Sequence, residues 1–412
     1  MSAKPAEPVE RTEIAGLASV ATISFLASRA VPSGGFFVAL AGGAALARAA
    51  ERAGARRGYG ASVAATLESL AILGPVRFNV PLTQAITAPM LGRLHARGVR
   101  PLPQIAACAI VRLLHNSLIA AFFIVVIAGV DAYTGTYDTI FGKLGLPEGT
   151  GAAVAGTVFV GIGWAAFAST VQVLLYRRAL WRWEHDPPPG DHPAGGIPDV
   201  PAEAGAGRRR FDPRACAVAA TVAFAVLLSG TEPLVLGAVA AWLAVATLAA
   251  RGDGSAWRTG LALAGVLAFG ALVFGIVGGQ GIEMGAQRAA RVALLVLVAT
   301  WLREAAGSEG IRDVAHRVLD RLRWVPAMPE AATTLDGLGS DRRLVGAGRG
   351  LLGSLDEVPM KPLPVADAVL GWARDWAARF RPDPPVEPLS LRLRALDVVL
   401  VLAAATPFAL LA

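Results

Sequence analysis

Charge is what this sequence has least of. Only 17% of its 412 residues are Asp, Glu, Lys or Arg, against about 25% in a soluble domain. So little charge over this length implies a surface that faces lipid rather than water. Cysteine is nearly absent as well. The two present, Cys108 and Cys216, fall in or beside apolar stretches, which gives no basis for a disulfide framework or a metal cage. There is no Walker loop, HExxH, CxxC or GxSxG motif, so nucleotide hydrolysis by the chain itself, zinc-protease chemistry, dithiol chemistry and serine-esterase chemistry lose their usual signatures. The expectation is a protein that is not an enzyme and carries no cofactor or metal. The net charge of +7 does not point to nucleic acid, because basic residues collect in the cytoplasmic loops of membrane proteins.

What the sequence does have is apolar length. Hydrophobic residues make up 54% of it, and uncharged runs cover 30–47, 113–130, 149–176, 215–231, 233–250 and 259–282. A bilayer crossing takes about 20 residues. The fold class expected is all-α, a polytopic helical membrane protein. Eleven hydrophobic segments can be read, near 14–29, 34–49, 60–75, 79–95, 103–130, 150–176, 214–230, 232–250, 257–278, 287–303 and 395–411. The third and fourth carry Pro75, Pro81 and Pro89 and are candidates for broken or re-entrant helices. Arg52, Arg56 and Arg57, then Arg93, Arg97 and Arg100, then Arg177, Arg178 and Arg182 mark one set of loops. Asp131, Asp138 and Glu148 mark the loop between the fifth and sixth segments. Positive-inside orientation then puts the N-terminus and the stretch 303–394 in the cytoplasm and the C-terminus outside. The excess of Ala, Gly and Arg fits a GC-rich bacterial genome, and hence the inner (cytoplasmic) membrane as location.

A Pro/Gly-rich linker, "HDPPPGDHPAGGIPDVPAEAGAG", interrupts the pattern. Its composition favours an extended, flexible chain. It suggests an N-terminal six-segment membrane domain at 1–184, a cytoplasmic linker at 185–210 and a second membrane domain at 211–412. The second domain has four spans, a polar stretch and one last span. In the polar stretch Ile311, Val314, Val318 and Leu322 recur at helical spacing among charged residues. Ser308 is a candidate N-cap, and Pro326 and Pro329 are candidate stops. "TTLDGLGSDRRLVGAGRG" and "VADAVLGWARDWAARF" read as two further amphipathic helices, so cytoplasmic helices are expected over about 304–390.

This order of elements resembles the transmembrane T component of energy-coupling factor (ECF) ABC importers. In that family cytoplasmic coupling helices end in short Ala-Arg-Gly-like motifs that dock on ABC ATPase subunits. The corresponding stretches are Ala347-Gly348-Arg349-Gly350 and Ala377-Ala378-Arg379-Phe380. The resemblance covers the C-terminal half. It implies that Ala347, Arg349, Gly350, Ala378 and Arg379 contact a cytosolic ATPase, with a substrate-binding membrane subunit as a further partner. It also implies that the chain couples ATP hydrolysis elsewhere to uptake of a small solute, a vitamin or a metal ion. The alternatives are a non-transport membrane scaffold with T-like architecture and a membrane enzyme acting on lipid.

Six segments before the linker match the number in the substrate-binding components of such importers, a topological analogy only. The polar residues there are more informative. Glu68, Arg77, Asn79, Arg112, His115 and Asn116 lie in or beside apolar segments, as does Gln172. Ionisable groups at membrane depth usually face a bundle interior or a cavity. Arg112, His115 and Asn116 share a helical face, and Glu68 is the only acid at depth able to neutralise Arg77 or Arg112. One reading is a site for a small polar or anionic ligand. The other is structural: Glu68 pairs with an arginine, and His115 and Asn116 satisfy backbone groups freed by the prolines.

Overall fold

The computed structural model describes residues 8–31, 35–74, 82–186, 210–250, 254–356, 358–359, 361–382 and 393–410. The described residues form helices and connecting turns, with no strand. The first half contains α1 (Pro8–Ala27), α2 (Gly35–Leu73), α3 (Leu82–Ala96), α4 (Pro101–Phe122, continued as a π-helical stretch Phe123–Ala128), α5 (Val130–Gly142) and α6 (Thr150–His185). The second contains α7 (Pro213–Ser229), α8 (Pro233–Ala250), α9 (Ser255–Val277), α10 (Gly281–Arg321), α11 (Met328–Gly337), α12 (Asp341–Leu355), α13 (Pro362–Arg379) and α14 (Ala395–Ala405). From residue 187 onward the linker lies outside the described residues.

Four helices are long and apolar enough to cross a bilayer: Pro101–Ala128, Thr150–His185, Pro233–Ala250 and Ala256–Val277. Pro213–Ser229 and Ala395–Ala409 are shorter apolar helices. Large apolar side chains on these elements point outward, among them Leu118, Phe159, Val160, Leu248 and Phe269. An apolar belt of this kind has hydrocarbon as its natural solvent. The protein is a polytopic helical membrane protein.

The first apolar segment behaves differently from the sequence-based expectation of a span. Residues 14–25 of α1 are all buried within the protein. A helix that is apolar on every side must be covered on every side, and here the cover is protein. α2 lies against α1 for much of its length. Gly16 meets the Cβ of Phe380 in α13, Ala15 faces Gly337 of α11, and Ile23 lies beside Gly348 of α12. The Trp376 indole donates to the Ser19 hydroxyl at 2.8 Å. One core therefore joins α1–α3 and the end of α6 with α11–α13. A second core joins α7, α8, α14 and the apolar part of α10, with the Trp242 and Trp301 rings 5.1 Å apart. The first core draws on residues from both sides of the linker.

Two long helices are broken by glycine. Gly54 has φ +85° inside α2 and Gly307 has φ +67° inside α10, a region in which a Cβ is strained. At Gly307 the chain passes from the apolar part of α10 to the amphipathic part carrying Ile311 and Val318. The amphipathic helix starts directly after the Gly307 break, at the position of Ser308, and ends at Arg321. The stretch read as one helix from Thr333 to Gly350 is two. α11 stops at Gly337, and Gly339 (φ +92°) precedes Ser340, whose hydroxyl accepts from the Arg343 N–H to cap α12. The loop expected at 131–148 holds α5, which packs on the end of α9 through Thr136 to the Phe274 carbonyl at 3.3 Å.

Ion pairs gather the basic loops at one end of the molecule. Arg57 pairs with Glu10, Arg56 with Glu330 at 3.2 Å, and Arg182 with Asp367 at 3.0 Å. Arg374 reaches Asp186 at 2.8 Å. The α8–α9 turn belongs to the same end, since Glu304 accepts from the Gly254 and Ala256 N–H groups. The α5–α9 contacts lie at the opposite end.

Candidate functional site

α12 and α13 carry the two arginine motifs. α12 turns Leu344, Ala347, Leu351 and Leu355 into the first core. Ala347 is thus buried in the first core rather than on the exposed face of α12. Arg349 and Gly350 are exposed on the other side. Arg349 makes no hydrogen bond or ion pair among the described residues. The motif lies in the middle of α12 rather than at its tip, so any docking there uses a helix side. Gly346, Gly350 and Gly353, at helical spacing, have open space where a Cβ would stand. An interior glycine costs about 1 kcal/mol relative to alanine, and nothing within this chain uses the close approach these three allow.

The second motif does end its helix. Ala378 and Arg379 are exposed, while Phe380 turns back and is buried against α1. Arg379 is paired with Asp375 at 3.6 Å. Arg343 braces the two helices: its guanidinium lies 5.9 Å from the Trp376 ring and 5.1 Å from the Phe380 ring, and it donates to the Arg381 carbonyl at 2.8 Å.

Glu68 is fully buried in the second half of α2. Its ion-pair partner is Arg312, 3.5 Å away in the amphipathic part of α10. The expected pairing with Arg112 does not occur, and Arg77 lies outside the described residues, as does Asn79. Arg312 also donates to the Gly339 carbonyl at 2.9 Å and to the Leu335 carbonyl. It therefore satisfies the carbonyl end of α11 while holding α2. The Asp341 side chain also lies beside Glu68, within hydrogen-bonding reach of its carboxyl group.

Arg112 is also buried, but with neutral company. Its Nη2 donates to Gln172 Oε1 at 2.6 Å, and Cys108 Sγ is 3.3 Å from the same oxygen. Gln172 Nε2 donates to the Thr87 hydroxyl at 2.8 Å, and that hydroxyl donates to the Thr83 carbonyl at 2.6 Å. His115 and Asn116, one turn along α4, are half-buried. Among the described residues of the expected ligand site, Glu68 and Arg112 separate: Glu68 belongs to the α2–α10 contact and Arg112 to an α3–α4–α6 cluster. The other members of that cluster, Thr87, Cys108 and Gln172, are short or neutral residues. Gln172 alone carried a signal in the sequence, as a polar residue inside a long apolar run. On insertion scales a charged side chain at mid-membrane costs about 2.5–3.5 kcal/mol, so an arginine kept there without an acid is a cost borne for a reason.

Comparison with known proteins finds no matching family model, no similar curated protein and no similar solved structure.

Proposed function

We propose that this chain is the transmembrane coupling subunit of an ECF-type ABC importer, located in a bacterial cytoplasmic membrane with its arginine-rich end in the cytoplasm. In this reading a cytosolic ATPase docks on the outer face of α12 and on the end of α13. Arg349 supplies a guanidinium for a carboxylate of the partner, and the glycine face lets the two backbones approach.

The observation that carries this reading is the position of α12 and α13 between that outer face and the first half. Their inner faces enclose α1, and α13 is tied to α6 through Asp367 with Arg178 and Arg182. A displacement of the docked helices moves α1 and α6 with it, because a packed core transmits strain. The Arg343 brace makes α12 and α13 move together. Nucleotide chemistry is left to the ATPase. This chain's residues bind, align and transmit.

Copurification tests it. Tagged wild type brings down a protein identified by mass spectrometry as an ABC ATPase, and ATP hydrolysis accompanies the complex. Losing one side of a desolvated charge pair costs about 2–5 kcal/mol. Arg349→Ala therefore reduces capture at least tenfold, while Arg342→Ala, exposed on the same helix, has little effect. Arg379→Ala has the smaller effect of the two motif variants, since Arg379 already has Asp375. If wild type captures no ATPase, or Arg349→Ala captures as much as wild type, the coupling reading fails.

A further inference from the structure

Arg112 has no counter-ion. It is 5% exposed and stands eleven residues into α4, about 16 Å along the helix at 1.5 Å per residue, near the middle of a span. Among the described residues no carboxylate lies within ion-pair distance of it. The sequence offers none nearby: between residues 58 and 130 the only acid is Glu68, which is held by Arg312, and α6 has none before Glu184. The stretch 75–81 contains no acid either.

The surroundings are arranged rather than merely polar. Thr87 fixes the amide end of Gln172, and this aims its carbonyl oxygen at Arg112. The Nε of Arg112 and the hydroxyl of Ser169 are left without a partner, while the Tyr176 hydroxyl lies beside Gln172 and packs against Gly43 of α2. Ser169, Gln172 and Tyr176 follow one face of α6 at spacings of three and four, and the Tyr176 hydroxyl is within electrostatic reach of Arg112. All of these side chains are at least nine-tenths buried. The cluster therefore combines one uncompensated positive charge with two unused hydrogen-bond donors, the Arg112 Nε and the Ser169 hydroxyl, out of contact with water.

We propose that Arg112 anchors a binding site for a small monoanion, a carboxylate or a halide, between α3, α4 and α6, with the Ser169 and Tyr176 hydroxyls as further donors. A single guanidinium neutralises a single negative charge. A dianion would leave a net buried charge of the opposite sign, so sulfate and doubly ionised phosphate are excluded by the same cost that argues for a ligand. The proposal takes up the sequence reading of Arg112 as part of a site for a small anionic ligand and goes beyond the coupling role proposed above. Binding is measured without any ATPase, so the two can fail separately.

The test uses the full chain in phosphatidylcholine nanodiscs, dialysed into sulfate buffer and titrated by equilibrium dialysis with radiolabelled acetate and, separately, radiolabelled chloride. The expected result is saturable binding of at least one of them at one per chain. Arg112→Gln should reduce it at least tenfold and Arg97→Gln, an exposed arginine at the end of α3, should not change it. The bound anion should raise the melting temperature of wild type and not that of Arg112→Gln. If Arg112→Gln does not accumulate, Ser169→Ala combined with Tyr176→Phe keeps the charge and should weaken binding severalfold. No saturable binding of either anion to wild type, or binding that survives both sets of substitutions unchanged, overturns the proposal.

Discussion

Glu68 and Arg312 form the buried ion pair of the α2–α10 contact, and their surroundings are unequal. Removing the arginine leaves the buried Glu68 carboxyl beside that of Asp341 without a cation and frees the Gly339 and Leu335 carbonyls. Removing the acid leaves Arg312 with both carbonyls. Arg312→Gln should therefore destabilise by about 3 kcal/mol or more and Glu68→Gln by about 1 kcal/mol, in line with the cost of breaking a buried pair from one side. The double variant should be less destabilised than the sum, with a coupling of about 1–3 kcal/mol, measured by denaturant unfolding in detergent. Additive effects would mean that the pair does not form. That a buried Glu68 needs an arginine was legible in the sequence. Which arginine was not, because the polar helix that supplies it lies 244 positions away and reads locally as a surface element. Arg112 shows the converse: its burial followed from its place in an apolar run, but its neutral partners Gln172, Thr87 and Cys108 had no charge to draw attention to them.

At the scale of elements, α12 gives up helix stability on its exposed face. Gly350→Ala should raise stability by about 0.5–1 kcal/mol, because a methyl group there meets nothing, while weakening ATPase capture. A stabilised variant that binds its partner as well as wild type would show that the glycines do not serve docking. The starts of α7 and α14 are joined by a second device. Asp397 accepts from the Arg394 N–H at 2.7 Å and from the Asp212 N–H at 2.8 Å, and Asp212 caps α7 through the Arg214 N–H at 2.8 Å. Asp397→Ala should cost about 1–2 kcal/mol, since it leaves the buried Asp212 N–H and the part-buried Arg394 N–H without an acceptor. Burial pushes the Asp212 carboxyl up, but the side-chain and backbone bonds from Arg214, with the Arg214 and Arg317 charges, outweigh it and hold the group below its ordinary value. Its stabilisation is then complete above the ordinary aspartate range and lost as pH falls through the lowered folded value. Wild type and Asp212→Asn should differ in melting temperature at neutral pH and converge in acid. The helical character of the polar stretch was legible from the spacing of Ile311, Val314 and Val318. The division between α11 and α12 was missed because Leu338 and Val345, seven residues apart, keep helical spacing across the turn at Gly339.

At the scale of the whole molecule, the alternation of basic and acidic loops gave an orientation that cysteine labelling can check. A cysteine at position 192 should react with membrane-impermeant reagent only after the cells are opened; reaction in intact cells would invert the assignment. The sequence could not show that α1 is enclosed by protein. Ile14, Leu17, Val20 and Ile23 look the same whether lipid or another helix covers them, and α11–α13, which complete the cover begun by α2, come more than 300 residues later. This enclosure is the physical basis of coupling, because it makes the docking helices and the first half parts of one core. Gly16→Leu, which drives a side chain into Phe380 at the α1–α13 contact, should weaken that union without touching the docking face. The most direct measurement separates the chain in the linker, expresses residues 1–186 and 210–412 as two polypeptides, and purifies through a tag on the first. The account predicts that the two copurify at one to one and that Gly16→Leu lowers the yield of the second. Fragments that both accumulate in the membrane but purify apart would contradict it.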